Sequence, residues 1–118
     1  MKTSSKKGKG RRLQNFVRDK LYEYFPSLRT GDVKSAVMGE SGEDIKLSPA
    51  AKDLIRFSFE CKNQERLNIW DSLSQAETNS SSRIPAVVFK RNRSKTYVAF
   101  EFEDFLNLIG DNSEQEKK

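Results

Sequence analysis

Two short runs with a two-residue period constrain this chain most: Asp44-Ile45-Lys46-Leu47 and Arg56-Phe57-Ser58-Phe59-Glu60-Cys61-Lys62. Alternate side chains of a strand share a face. Phe57, Phe59 and Cys61 therefore point one way, and Ser58, Glu60 and Lys62 the other. In the first run Asp44 and Lys46 stand opposite Ile45 and Leu47. If the two strands pair, Asp44 stands beside Glu60, with Lys62 next along the strand. Between the runs, Ser48-Pro49 supplies a helix N-cap and a proline at the first helical position, so the connection reads as one helical turn.

The flanking sequence supplies the remaining elements. From about Arg11 a helical stripe of Leu13, Phe16, Val17, Leu21, Tyr24 and Phe25 runs until Pro26 ends it. Residues 31–38 alternate loosely as a first strand, and Gly39-Glu40-Ser41-Gly42 forms a glycine-bounded turn before Asp44. After Lys62 comes a helix with Leu67, Trp70, Leu73 and Ala76 at intervals of three, which places Trp70 in the core. Asn79-Ser80-Ser81-Ser82 reads as a mobile connection. Ile84 to Lys90 is a nearly continuous apolar run, as in a strand covered on both faces. An antiparallel edge strand follows from Lys95 to Glu101, and Phe102, Phe105, Leu106 and Ile109 mark a short closing helix that stops at Gly110. The order αβββαββα predicts an α/β fold with a mixed five-stranded sheet flanked by helices.

A chain of 118 residues is one domain, assigned to residues 10–110 between a disordered basic arm (1–9) and a disordered polar tail (111–118). No apolar run approaches the ~18 residues of a membrane span, and the opening residues lack the apolar core of a signal peptide, so a cytoplasmic location is expected. One cysteine excludes an intrachain disulfide, and the absence of histidine excludes His-based triads and zinc sites. Cys61 reads as a small apolar residue on a buried face. The net charge of +5 is uneven: residues 1–12 carry six cations and no acid, and Lys90, Arg91, Arg93 and Lys95 concentrate four more in six positions. Separate basic patches around an acidic site suit an enzyme acting on a polyanion. A solubilising tail and a charged hairpin turn are the plain alternative for either patch alone.

Asp44, Glu60 and Lys62 together suit metal-assisted hydrolysis of a phosphodiester. Two carboxylates hold a hard divalent ion that polarises a phosphoryl oxygen and acidifies a bound water, and a neighbouring lysine orients that water or stabilises developing charge.

At Gly42-Glu43-Asp44 and Glu60-Cys61-Lys62 the sequence resembles the PD-(D/E)XK nuclease superfamily, where an Asp precedes a (D/E)-x-K strand. Lys9-Gly10-Arg11-Arg12-Leu13-Gln14 and Gln75-Ala76 make it most similar to the Holliday junction resolvases of archaea and phages, which open with Lys-Gly, three variable residues and a Glu. The resemblance implies a restriction-endonuclease-like core over residues 10–109 and a Mg²⁺- or Mn²⁺-dependent DNA endonuclease working as a homodimer on four-way junctions, in the host cytoplasm if phage-encoded. It makes Asp44 and Glu60 metal ligands with the Cys61 backbone carbonyl beside them, and Lys62 the group that orients water. Gln14 stands at the Glu position: it binds an ion-bound water or phosphate, or is a boundary glutamine of an amphipathic helix. Gln75 positions Lys62 or a phosphate, or lies on a polar helix face, and Ser41 touches a phosphate or only completes its turn. Lys7, Lys9, Arg11, Arg12, Lys90, Arg91, Arg93 and Lys95 are the expected DNA-backbone contacts. A general nicking or repair nuclease, a catalytically silent nucleic-acid-binding module, and a small scaffold or regulatory protein remain as alternatives.

Overall fold

The computed structural model describes the backbone of residues 2–37 and 39–117 and the side chains of residues 8–37 and 39–110. Its first element, α1 (Lys2–Tyr24), lies on the sheet through Leu13 and Val17, both buried, with Leu21 packed against the same cluster. Their four-residue spacing keeps them on one side of the helix. Phe16 at the margin and Tyr24 at the last turn are exposed. Tyr22 anchors the loop that follows: its hydroxyl accepts from the N–H groups of Gly31 and Val33 and donates to the Val33 carbonyl at 3.0 Å. That loop delivers the chain to β1 (Val33–Ser35), which pairs antiparallel with β2 (Ile45–Leu47).

Ser48 caps α2 (Pro49–Leu54) as expected: its hydroxyl accepts from the Ala51 N–H at 3.1 Å and donates to Asp32 at 2.7 Å. The chain then enters β3 (Phe57–Asn63), crosses over through α3 (Ile69–Asn79), and returns in β4 (Ile84–Lys90) parallel to β3. A turn leads into β5 (Tyr97–Phe100), antiparallel to β4, and α4 (Phe102–Lys117) follows. The sheet order is β3-β4-β5, with β1-β2 as a separate ribbon.

Cys61 and Val88 face α1 and join Leu13, Val17, Val33 and Ile45 in the main core. The opposite side of the sheet carries Ser58, Glu60 and Val87, all buried, and α3 covers it with Ser72 and Ala76. Small residues on both surfaces let the helix approach the strands closely. The β4 run is covered on both faces, as its unbroken apolar sequence implied: Ala86 and Val87 are fully buried and Val88 nearly so.

Four expectations need correction. The five strands do not form one ladder. β2 meets β3 through a single backbone bond, Asp44 N–H to the Phe59 carbonyl at 3.2 Å, and the next rung is taken by the Asp44 side chain, which accepts from the Cys61 N–H at 2.8 Å. A carboxylate in place of a backbone carbonyl leaves the strands unable to zip past that point. Trp70 is 78% exposed instead of core, because steps of three drift around a helix with 3.6 residues per turn. The buried face is instead Ser72 and Ala76, with Asn79 one turn beyond. The first strand is only Val33–Ser35 and not the whole of 31–38, and Val37 beyond it is exposed. Finally, α4 passes through Gly110 to Lys117 and α1 begins at Lys2, so both terminal helices exceed their expected bounds. A glycine inside a helix lowers its stability by only about 1 kcal/mol and does not oblige it to stop.

Candidate active site

Asp44 occupies the point where the ribbon and the sheet diverge. The preceding turn reaches it through Gly39 and Gly42, whose φ values of 83° and 90° suit glycine. Lys46 ties that turn back to β2, with its ammonium 2.8 Å from the Ser41 carbonyl and 3.6 Å from Glu40. Beyond it, the Asp44 carboxylate is fixed by the Cys61 N–H, so the first acid is held against the middle residue of Glu60-Cys61-Lys62. The Phe59 carbonyl and the Cys61 N–H both face Asp44. On a strand in a parallel pair, the N–H and C=O of one residue leave by the same edge. The Cys61 carbonyl therefore lies on the Asp44 side of β3.

A cavity of about 750 Å³ opens here, lined by Lys9, Gly10 and Gln14 of α1, by Asp44, by Cys61, Lys62 and Asn63 at the end of β3, and by Gln64, Glu65 and Arg66 beyond it. A smaller depression of about 270 Å³ shares Gly10, Gln14 and Asp44 and continues past Arg11, Gly39 and Glu40. Gln14 thus faces the same space as Asp44 and Lys62, although sequence alone left it divided between site and helix surface. The α1 end of the cavity is fastened by Asn63, whose amide donates to the Lys9 carbonyl at 3.2 Å. Lys9 lies 3.9 Å from Glu65, which also accepts from the Asn92 N–H of the β4–β5 turn. These contacts join the start of α1, the end of β3 and the basic hairpin into one rim.

Glu60 lies behind this cavity, not in its lining, and is only 2% exposed. Its Oε1 accepts from Asn79 at the end of α3 at 3.2 Å. Nearby Arg83 forms a largely buried ion pair with Glu43 and donates to the Phe57 carbonyl at 3.1 Å. Burial raises the Asp44 carboxyl above its usual range, opposed by the Cys61 N–H and by Lys62 and Lys46. Burial also raises Glu60, and the charges at Asp44 and Glu43 add to it, while Asn79 and Lys62 pull the other way. A cation beside them would favour the charged form of both desolvated acids. The Cys61 thiol is pushed far above its usual range by burial first and then by both acids, so it remains a protonated apolar group.

Among the described residues, no group of three or more His, Cys, Asp or Glu side chains is placed to hold a metal ion. The oxygen donors at the cavity are of the kind a hard, hydrated divalent ion takes: the Asp44 carboxylate, the Cys61 carbonyl on the same side of β3, and Asn63 Oδ1, a buried oxygen without a hydrogen-bond partner, while the Glu60 carboxylate lies behind the cavity. Magnesium is bound through one or two carboxylates while keeping several waters, and it seeks oxygen ligands of this kind.

Other expected residues fall in different places. Gln75 is exposed and lines none of these cavities, and Asn79, one turn further along α3, reaches Glu60 instead. Asn79 therefore ends a helix and does not begin a mobile connection, and Ser80 behind it is buried. Ser41 is exposed on its turn and contributes its carbonyl to Lys46. Arg11 borders both the smaller depression and a second groove with Arg18 and Lys34, and Arg12 is exposed. Arg91, Arg93 and Lys95 are exposed at the β4–β5 turn and Lys90 is partly buried. The Lys7 side chain lies outside the described residues. Sequence reasoning missed Asn63, Arg66, Asn79 and Arg83. Only Asn79 carried a signal, being three residues after Ala76 on the face that a true 3.6-residue period selects. Comparisons with family models, curated proteins and solved structures find no match.

Proposed function

We propose that this protein is a metal-dependent endonuclease that hydrolyses phosphodiester bonds in branched DNA, with a core of the PD-(D/E)XK type and four-way junctions as its substrate. The observation that carries the reading is the Asp44 carboxylate held at 2.8 Å on the Cys61 N–H, between Glu60 and Lys62, in a cavity that also receives Gln14 and Lys9. The motif residues are far apart in sequence, and a convergence of this kind at a break between strands is what a phosphodiester site requires.

Asp44, Glu60 and the Cys61 carbonyl are the groups assigned to the ion. Bound magnesium or manganese would polarise the scissile phosphate and lower the pKa of a water. Lys62 places its ammonium where negative charge develops on the phosphoryl oxygens and orients the attacking water. Lys9 and Arg66, at the rim, hold flanking phosphates, and the Arg91–Lys95 hairpin extends the cationic surface. Asn79 holds Glu60, and Arg83 keeps Glu43 from adding an unpaired charge beside it.

The test is Asp44→Asn against a labelled four-way junction and a matched linear duplex, with Mg²⁺ and with chelator. Paired nicks in the junction alone, abolished by the substitution while junction binding persists, support the proposal. Cutting of both substrates points to a general nicking or repair nuclease. Unchanged cutting by the variant removes Asp44 from the site. A second reading, a silent nucleic-acid-binding module, is favoured by one observation: Gln14, which faces Asp44, is neutral. Junction binding with no metal-dependent cutting would select it.

A further inference from the structure

A second cleft, of about 470 Å³, opens at the carboxyl end of β4, between the β4–β5 hairpin and the segment that leads into α3. Leu67 and Ile69 line it from the helix side, and Phe89 and Tyr97 from the sheet. Strand register accounts for the aromatic wall. Phe89 and Tyr97 are directly opposed across the antiparallel β4–β5 pair, so both rings leave by one face, with centroids 6.0 Å apart. Tyr97 is 55% exposed. A lone exposed tyrosine on an outer strand needs no ligand. This one has a second ring, two aliphatic neighbours and a concave setting.

The cleft continues the Asp44 cavity. Gln64 and Glu65 line both openings, and the parallel register sets Asn63 at the end of β3 opposite Lys90 at the end of β4. Neighbouring strands lie roughly 5 Å apart, so the two openings are a short step from each other along a bound chain. Arg91 lines the cleft, and Arg93 and Lys95 are exposed on the same turn. Ser94 holds that turn: its hydroxyl accepts from the Arg91 N–H at 3.0 Å and donates to the Lys95 carbonyl at 2.8 Å. The acid of the lining, Glu65, is already engaged by the Asn92 N–H at 2.6 Å and by Lys9 at 3.9 Å. Gln64, whose N–H donates to the Lys90 carbonyl, carries an exposed amide that offers both a donor and an acceptor.

A cleft with aromatic and aliphatic walls, an amide at its edge and cations at its rim suits a ligand that is flat and apolar on its faces, polar along its edge and anionic beside it. A nucleobase with its phosphate has that chemistry. A base inside a duplex has its faces covered by its neighbours and its edge by its complement, so it enters such a cleft only once unpaired and unstacked.

We propose that this cleft receives one unpaired nucleobase of a bound DNA strand, stacked on Tyr97 beside Leu67 and Ile69, with Arg91 on the adjoining phosphate and the Gln64 amide at the base edge. Tyr97 then helps choose the substrate, a role that rests on the nuclease reading and narrows it to DNA with an unpaired nucleotide close to the scissile bond. A base lodged here also fixes its strand relative to Asp44 and Lys62.

Binding is measured without cutting, by fluorescence anisotropy of the full chain in chelator at fixed salt, with a short labelled thymidine strand and an abasic strand of equal length. The two carry the same phosphate charge, so a difference between them reports the bases. Stacking one base on an aromatic side chain should favour the thymidine strand by about five-fold or more. Tyr97→Ala should abolish that preference while abasic binding stays unchanged, and Tyr97→Phe, which keeps the ring, should retain it. Arg91→Met should weaken both strands alike. Free thymidine monophosphate should compete poorly, since it lacks the flanking phosphates. Equal affinity for the two strands, binding of neither, a preference that survives Tyr97→Ala, or competition by the mononucleotide as strong as by the strand would each overturn the proposal. Junction cleavage with Mg²⁺ is scored separately: cutting without a base preference overturns the cleft alone, and a base preference without cutting overturns the nuclease reading while upholding the nucleobase site.

Discussion

Arg83→Met tests whether the back of the site is held by charge pairing. The Arg83 side chain is 9% exposed and its Glu43 partner 14%, so neither charge has water to fall back on. The substitution keeps the aliphatic volume and removes the guanidinium. Glu43 is then left unpaired beside Glu60, which already bears the charges of Asp44 and Glu43, and the Phe57 carbonyl loses its donor. Breaking a buried pair from one side costs about 3–5 kcal/mol. Against a total stability of roughly 5–15 kcal/mol, this corresponds to a melting temperature lower by about 10–25 °C. Urea denaturation at neutral pH should show a lower midpoint with an unchanged slope. Adding Glu43→Gln removes the stranded charge and should recover about half or more of the loss, giving a coupling of about 2 kcal/mol in the double-mutant cycle. A loss under about 1 kcal/mol, or strict additivity in the double variant, refutes the reasoning.

Asn79→Ala withdraws the amide from Glu60 Oε1, one of the contacts that lower its pKa, so Glu60 should titrate higher still. On the proposed nuclease reading, the acid limb of the cleavage profile should move to higher pH, and an unmoved limb would make Asn79 merely structural. Gln14→Glu adds a carboxylate facing Asp44: Mn²⁺ affinity measured by calorimetry should rise about ten-fold, while metal-free stability falls through like-charge repulsion. No change in either would place residue 14 outside the reach of the ion. The pH dependence of folding should contain two opposite contributions. Asp32 is lowered below its unfolded value of about 3.9 by the Arg29 N–H first and by Ser48, so its support is complete above about pH 4 and is lost as pH falls through the folded value. Asp44 and Glu60 are raised, so the metal-free fold binds more protons than the unfolded chain and gains stability as pH falls through their folded values. Asp32→Asn should flatten the first contribution in acid melts, and saturating Mg²⁺ should suppress the second. An acid limb identical in Asp32→Asn would remove Asp32 from this account.

Local rules made much of the chain legible. Period two in 57–62, the Ser48-Pro49 cap, the unbroken apolar run 84–90 and the glycines at 39 and 42 each specify backbone conformation through near neighbours, and the structure agrees at each. The same alternation separated Cys61, toward α1, from Glu60, toward α3. What failed were statements about which helix face meets the sheet. Trp70 and the α4 stripe have the composition of core residues, but an apolar side chain does not state whether its cover comes from its own chain. Gln75 and Asn79 are equally polar residues of one helix, and the angular position of α3 on Ser58 and Glu60 decides which of them reaches an acid. The Glu43–Arg83 pair spans forty residues and has no local signature at all.

By itself, then, the sequence determined the order and type of the elements and the alternation that sets Glu60 and Cys61 on opposite faces of β3. Those depend on interactions within a few residues, where backbone geometry repeats. The tertiary structure alone decided that Asp44 breaks the ladder by taking the Cys61 N–H for its side chain, that Glu60 is held from behind by Asn79, and that Gln14 and Lys9 wall the cavity. These are contacts between segments brought together by packing, and their partners are set by helix position and strand register over distances the local pattern does not encode.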